Sequence, residues 1–180
     1  MKQKMIFTTC VLLAVFAICL PVFLITKNDI ALTVTITVGV TLYHFAMRLA
    51  VGYIINAIMK NKANYNNAWF CEKRFESKLY KLLGVREWKK YLPTYSPDTF
   101  EVGRNTVKQI IGATCQAEIV HEIIIVFSAL PIILIPFLGG AAALIITSVL
   151  AMLFDLSFVI LQRYNRPRLV RITERLKKRN

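Results

Sequence analysis

Residues 5–26 read MIFTTCVLLAVFAICLPVFLIT, twenty-two positions without one charged side chain. A helix needs about 20 apolar residues to cross the roughly 30 Å hydrocarbon layer of a bilayer. This stretch is long enough. Lys2 and Lys4 stand before it, as they would before a secretory signal. The apolar core, however, runs well past the roughly 7–15 residues of a signal sequence, and no small-x-small cleavage site precedes Lys27. The stretch therefore predicts a retained membrane helix.

Working outward, three more apolar runs follow, at residues 30–59, 112–138 and 141–161. The second contains Thr33-Val34-Thr35-Ile36-Thr37-Val38, which would suggest a strand in water. In lipid the backbone must satisfy its own hydrogen bonds, so a helix accommodates the same residues. Pro131 and Pro136 interrupt the third run, and Gly139-Gly140 make the turn into the fourth. The expectation is an all-α integral membrane protein with about four transmembrane helices. A three-crossing variant has the proline-containing segment re-entrant. The whole chain, 1–180, reads as one membrane domain.

Composition agrees. The chain has 180 residues, 56% of them hydrophobic, a mean hydropathy of +0.53 and a net charge of +13. Soluble domains have roughly 45–50% apolar residues. A soluble nucleic-acid binder would account for the charge but not for the apolar excess. A disordered chain would be more polar. The basic residues are also distributed by segment. Two precede the first run, one lies in the first connection, eleven lie between Lys60 and Lys108, none lies in the Gly-Gly turn, and eight follow from Arg163 onward. By the positive-inside rule both termini and the middle segment face the cytoplasm of a cell membrane protein that crosses several times. The charge then serves topology and anionic lipid, with no nucleic acid among the partners. Cys10, Cys19, Cys71 and Cys115 form no CxxC pair and read as free thiols.

The middle segment, 60–108, is amphipathic in part. Phe75, Leu79 and Leu82 follow the i, i+4, i+7 pattern among Lys73, Arg74, Lys78 and Lys81, which predicts a helix lying in the membrane interface. Pro93 ends it, and Thr94 to Gly103 reads as a loop.

The residues that carry chemistry are ionisable groups placed where a charge is expensive. On the third run Glu118 and His121 are three apart and share a helical face, with Glu122 beside them. His44 and Arg48 are four apart on the second run, and Asp155 lies on the fourth. All lie toward the same side of the membrane and are expected to meet in one polar pocket. A histidine oriented by a carboxylate is a general base, the minimum needed for acyl transfer to a hydroxyl. Arginines would hold a phosphate or an oxyanion. Mutual charge satisfaction without catalysis remains the plain alternative. Glu-x-x-His is also half of a di-iron motif, but the chain has only one copy and two histidines, so no metal is assigned. The last signal is Gln162-Arg163-Tyr164-Asn165-Arg166-Pro167-Arg168-Leu169, read as an anion-binding element. From Val170 on, a basic helix end anchors to the membrane surface.

Three stretches together carry a resemblance. They are Trp88-Lys89-Lys90-Tyr91-Leu92-Pro93, Ala117-Glu118-Ile119-Val120-His121, and Gln162 to Leu169 as quoted above. In that order the sequence resembles the glycosyl-4,4'-diaponeurosporenoate acyltransferase family, over roughly 75–169. The third element is long and specific, and the first is short. The resemblance implies a small membrane enzyme that esterifies a sugar hydroxyl of a glycosylated carotenoid acid with a fatty acyl chain, in staphyloxanthin-type pigment synthesis. The roles are read from the residues rather than from the resemblance: His121 as the base and Glu118 as its orienting carboxylate. Gln162, Arg163, Tyr164, Asn165, Arg166 and Arg168, with Trp88 and Lys89, lie in the matching elements and are expected to bind substrate, the arginines taking the phosphates of the acyl donor. His44 and Arg48, on the second run where no match is found, are added as substrate-binding candidates from their charge alone. No cofactor is implied beyond a donor such as acyl-CoA or a phospholipid. The partners are then membrane lipids, the donor, and a glycolipid or carotenoid glycoside acceptor. The chain departs from the family pattern at Glu122, where Trp is usual, and at Asp155-Leu156-Ser157, where Asn-Leu-Pro is usual. These departures bear on the acceptor more than on the reaction. Two other functions fit the same residues: a non-catalytic lipid-binding scaffold, or another lipid-modifying enzyme such as a methyltransferase.

Overall fold

The computed structural model describes residues 2–93, 97–101 and 103–179. Among these residues the α-helices are α1 (Lys2–Thr26), α2 (Asp29–Met59), α3 (Glu76–Leu82), α4 (Val85–Trp88), α5 (Val107–Ser128), α6 (Leu130–Ile133), α7 (Ile135–Leu138) and α8 (Ala141–Arg179). No strand occurs among the described residues. Among the described residues four segments are long and apolar enough to cross a membrane: Lys2–Thr26, Asp29–Met59, Val107–Leu138 and Ala141–Arg175. The all-α membrane architecture is as the apolar runs foretold.

The chain forms two compact units. The first comprises residues 1–53 and 123–155, and the second comprises 54–122 and 156–180. In the first unit the left-handed Lys27 (φ 49°) ends α1, and the Asn28 side chain accepts the Ile30 amide at 2.8 Å to start α2. The threonines that looked strand-like are helical for a visible reason. Thr33, Thr35, Thr37 and Thr41 each donate their hydroxyl to the carbonyl four residues back, at 2.7–2.9 Å. That contact leaves no polar group to the lipid. Thr35 also lies 3.2 Å from the Cys19 carbonyl of α1.

The proline interruption is compensated in a specific way. Pro131 has no N–H, so the Phe127 carbonyl, four residues earlier, loses its helical donor. The Tyr43 hydroxyl of α2 donates to that carbonyl at 2.9 Å. The third span thus breaks into α5, α6 and α7 while the freed carbonyl stays bonded. The turn after α7 uses Gly139 and Gly140, both left-handed (φ 66° and 61°), and a Cβ on Gly140 would stand 2.9 Å from Ile36 Cδ1. Ile36, Val40 and Leu144 form the small core there.

In the second unit, α2 ends at the left-handed Lys60 and Asn61. The Asn61 amide donates to Gln116 Oε1 at 2.6 Å, and Gln116 Nε2 donates to Asn56 Oδ1 at 3.1 Å. A Cβ on Gly112 would lie 2.3 Å from the Asn61 carbonyl oxygen, so only glycine lets the two backbones approach.

Two expectations are corrected by this geometry. The fourth helix does not stop near 161; α8 runs on to Arg179, a 39-residue helix about 58 Å long at about 1.5 Å per residue. Pro167 sits inside it and removes one hydrogen bond without ending it. The middle segment is not one amphipathic helix. Its longest helix, α3, has seven residues, buries Glu76 and Tyr80, and leaves Phe75 and Leu82 outward, at 64% and 84% exposure. The polar pair lies inward because α3 packs on charges rather than on an apolar surface. The expected loop at 94–103 includes a 3-10 turn at Pro97–Phe100, while residues 94–96 and 102 lie outside the described residues.

Candidate active site

A buried polar cluster lies in the second unit. Its anion is Glu118, on α5, with no solvent exposure. Two arginines on α8, three residues apart and so on one face, take its two oxygens. Arg163 Nη1 donates to Oε1 at 2.6 Å, and Arg166 Nη2 makes a short contact to Oε2. Arg163 also donates Nε and Nη2 to Glu76 Oε1 of α3, at 2.9 and 2.6 Å. Its remaining donors go to the Trp69 and Cys71 carbonyls, at 3.0 and 3.2 Å. A guanidinium has five N–H donors, and each of these has an acceptor here. Arg166 donates to Thr114 Oγ1 and to the Thr114 and Phe70 carbonyls, at 3.2, 3.2 and 3.1 Å, and lies over the Phe70 ring. Glu76, Glu118, Arg163 and Arg166 therefore balance in charge while nearly dry.

Such a cluster does not add stability simply by being present, because removing charges from water costs several kcal/mol per ion. Its effect is on geometry. It fixes α3, α5 and α8 at one register and makes loss of any one partner expensive. Tyr80 extends it outward. Its hydroxyl donates to Glu76 Oε2 at 2.8 Å, and its ring meets Tyr164 edge-on with centroids 5.5 Å apart. Burial, and then the bond to the Glu76 carboxylate, raise the Tyr80 phenol well above its ordinary value of 10.0.

His121 is one turn past Glu118 on α5 and half-buried. Its ring stacks on Phe158 of α8, with centroids 4.6 Å apart and planes 8° from parallel. The stacking and the Glu118 ion pairs thus both join α5 to α8. Glu122 accepts the Trp69 indole N–H at 3.1 Å.

The other sequence-derived candidates are placed as follows. Gln162 is buried at 8% exposure. Asn165 Oδ1 accepts Lys89 Nζ at 3.3 Å, and that ammonium lies 4.9 Å from the Tyr164 ring centre. Arg168 lies 4.0 Å over the same ring and donates to the Tyr164 hydroxyl at 2.5 Å. Trp88 donates its indole N–H to the Leu83 carbonyl at 2.8 Å. His44, Arg48 and Asp155 belong to the first unit, where Arg48 Nε donates to Asp155 Oδ2 at 3.1 Å and Nη2 makes a short contact to the same oxygen. His44 is 4% exposed, and among the described residues neither ring nitrogen has a hydrogen-bond partner. Among the described residues no three His, Cys, Asp or Glu side chains converge as metal ligands.

Sequence reasoning passed over Glu76, Tyr80, Thr114 and Phe158. One signal for Glu76 was available: it is an acid standing alone among Lys73, Arg74, Lys78 and Lys81.

The sequence model of the glycosyl-4,4'-diaponeurosporenoate acyltransferase family matches residues 66–175. No curated protein and no solved structure shows detectable similarity to the chain. The matched segment takes in α3, α4, Glu118, His121 and the Gln162–Leu169 element, which is the whole of the charge cluster just described. With well over half its length matched, the chain belongs to the glycosyl-4,4'-diaponeurosporenoate acyltransferase family, a family of acyltransferases of carotenoid biosynthesis.

Proposed function

We propose that this chain transfers a fatty acyl group to a hydroxyl of a glycosylated lipid, with a carotenoid glycoside as the fitting acceptor and His121 as general base. The observation that carries the reading is the placement of His121. It is a half-buried imidazole on a membrane-spanning helix, one turn from the clamped Glu118 and flat on Phe158, within the family-matched segment. His121 takes the proton of the acceptor hydroxyl as its oxygen attacks the acyl carbonyl carbon. The bond from that carbon to the donor's sulfur or oxygen then breaks, and His121 returns the proton to the leaving group. Glu118 acts as a positioning residue: by holding Arg163 and Arg166 it sets α5 on α8 and so aims the ring. The donor is an acyl thioester such as acyl-CoA, or a phospholipid. The distribution of basic residues supports a cell-membrane protein with both termini and the middle segment, 60–108, on the cytoplasmic side.

The test is lipid mass spectrometry on cells with the wild-type chain, with His121→Ala, and without the chain. A glycolipid that gains one acyl mass only with wild type is the expected result and identifies the acceptor. Undiminished acyl transfer by purified His121→Ala would remove the base assignment. No acyl-mass difference in any lipid would favour a non-catalytic lipid-binding role.

A further inference from the structure

A cleft of about 420 Å³ opens on the second unit between α3, α4 and the C-terminal half of α8, apart from the Glu118 cluster. Four cationic side chains line it: Lys81, Arg86, Arg168 and Arg171. Two aromatic rings, Tyr80 and Tyr164, form its wall. Arg171 has a 3.2 Å pair with Glu72, and Arg168 is held over Tyr164. Among the described residues no carboxylate pairs with Lys81 or Arg86. The lining carboxylates are Glu72 and Glu87, so the cleft carries a net positive charge.

These features differ from those of Arg163 and Arg166, whose donors are spent on protein acceptors. The guanidinium fork suits phosphate oxygens, and aromatic walls suit a planar or apolar neighbour. An apolar floor would be needed for an acyl chain alone, and four cations would be needless for a neutral sugar. A connection to the catalytic region exists as well. Tyr80 touches both the cleft wall and Glu76, and Glu76 shares Arg163 with Glu118.

We propose that this cleft binds the phosphate ester of the acyl donor, with Arg86, Arg168 and Arg171 as its anion ligands and Tyr164 as its platform. The proposal rests on the acyl-transfer reading for the word donor. The phosphate chemistry is shared by a soluble thioester carrier of the coenzyme A type and by a phospholipid headgroup.

The experiment separates these sources. The purified full chain in phosphatidylcholine nanodiscs is titrated with coenzyme A by equilibrium dialysis. In parallel, native mass spectrometry counts phosphatidylglycerol molecules retained from mixed nanodiscs. The cleft variant is Arg86→Gln/Arg171→Gln, both positions being on the surface. The control, Arg74→Gln/Lys78→Gln, removes the same charge outside the cleft. The expected result is at least a tenfold rise in the dissociation constant for coenzyme A, or loss of the retained phosphatidylglycerol, in the cleft variant alone and with an unchanged melting midpoint. Whichever probe responds names the source. The proposal is overturned if neither probe binds, if neither responds to the variant, or if the control weakens binding equally. Activity then separates the two readings. A raised KM for the donor, beyond any fall in kcat, supports the cleft. Acyl transfer lost in His121→Ala but with unchanged donor KM in the cleft variant removes the cleft and keeps the reaction. Binding lost in the cleft variant, with no acyl transfer by wild type from any donor, keeps the cleft as a phosphate site and removes the reaction.

Discussion

Replacing Glu118 by glutamine tests the centre of the second unit. The substitution keeps shape and one acceptor oxygen but removes the charge that faces two guanidiniums. Glu118 is fully buried and Arg166 is 2% exposed, so water cannot supply a substitute. The cluster changes from neutral to one excess positive charge, with Glu76 left to serve both arginines. Breaking a buried pair by removing one partner costs about 3–5 kcal/mol. Glutamine retains one hydrogen bond to an arginine, which places the cost near the low end, about 3 kcal/mol. At about 2–4 °C per kcal/mol for a chain of this size, the melting midpoint falls by roughly 6–12 °C. The assay is thermal unfolding of the detergent-purified chain, followed by the fraction that stays monodisperse. A double-mutant cycle with Arg166→Met, which removes the partner charge as well, recovers part of the loss through a coupling of about 0.5–3 kcal/mol. Because the pair is buried, added salt changes the loss little. A midpoint shift under about 2 °C for Glu118→Gln alone would refute the claim that the carboxylate holds α5 to α8.

Four further outcomes are expected. His121→Ala keeps the wild-type melting midpoint and loses acyl transfer, measured by turnover of a labelled acyl donor on the purified variant. Gly112→Ala forces a methyl to within 2.3 Å of the Asn61 carbonyl oxygen and costs about 1–3 kcal/mol, seen as a lowered midpoint. Tyr43→Phe leaves the Phe127 carbonyl without its donor and costs about 0.6 kcal/mol, the average for such bonds in membrane proteins, read in the same assay. Tyr80 titrates higher when folded than when unfolded, so its contribution is complete below about pH 10 and is lost as pH rises beyond that toward its folded value. The melting midpoint of Tyr80→Phe therefore falls less steeply than wild type above pH 10.

Much of this architecture is legible in the residues alone. The four spans follow from long apolar runs with few or no charges, because lipid allows a continuous backbone few other forms. The family follows from three short elements in order, the last of them eight residues long. The end of the fourth helix was not legible. Arg163 and Pro167 resemble a stop after a span, yet the arginines find partners on α3 and α5 and the helix continues past them. The inward face of α3 was not legible for a related reason. A pattern that counts apolar positions selects Phe75, Leu79 and Leu82, whereas the burial is set by Glu76 reaching Arg163. Pairing across 87 residues leaves no periodic trace in a sequence. The arginine spacing was visible, but nothing local showed that the donors of Arg163 are committed to the protein itself.

The bond from Tyr43 to the Phe127 carbonyl has a consequence for how the chain is made. A membrane protein is threaded into the bilayer in order, so α2 is in place before the third span emerges from the ribosome. The span that carries Pro131 arrives with one backbone carbonyl unmet in hydrocarbon, a group that costs several kcal/mol while it stays so. The hydroxyl that meets it is already waiting on the earlier helix. A circular permutant that delivers Val107–Leu138 before Asp29–Met59 reverses that order, and is expected to insert its proline-broken span less efficiently although its finished contacts are the same.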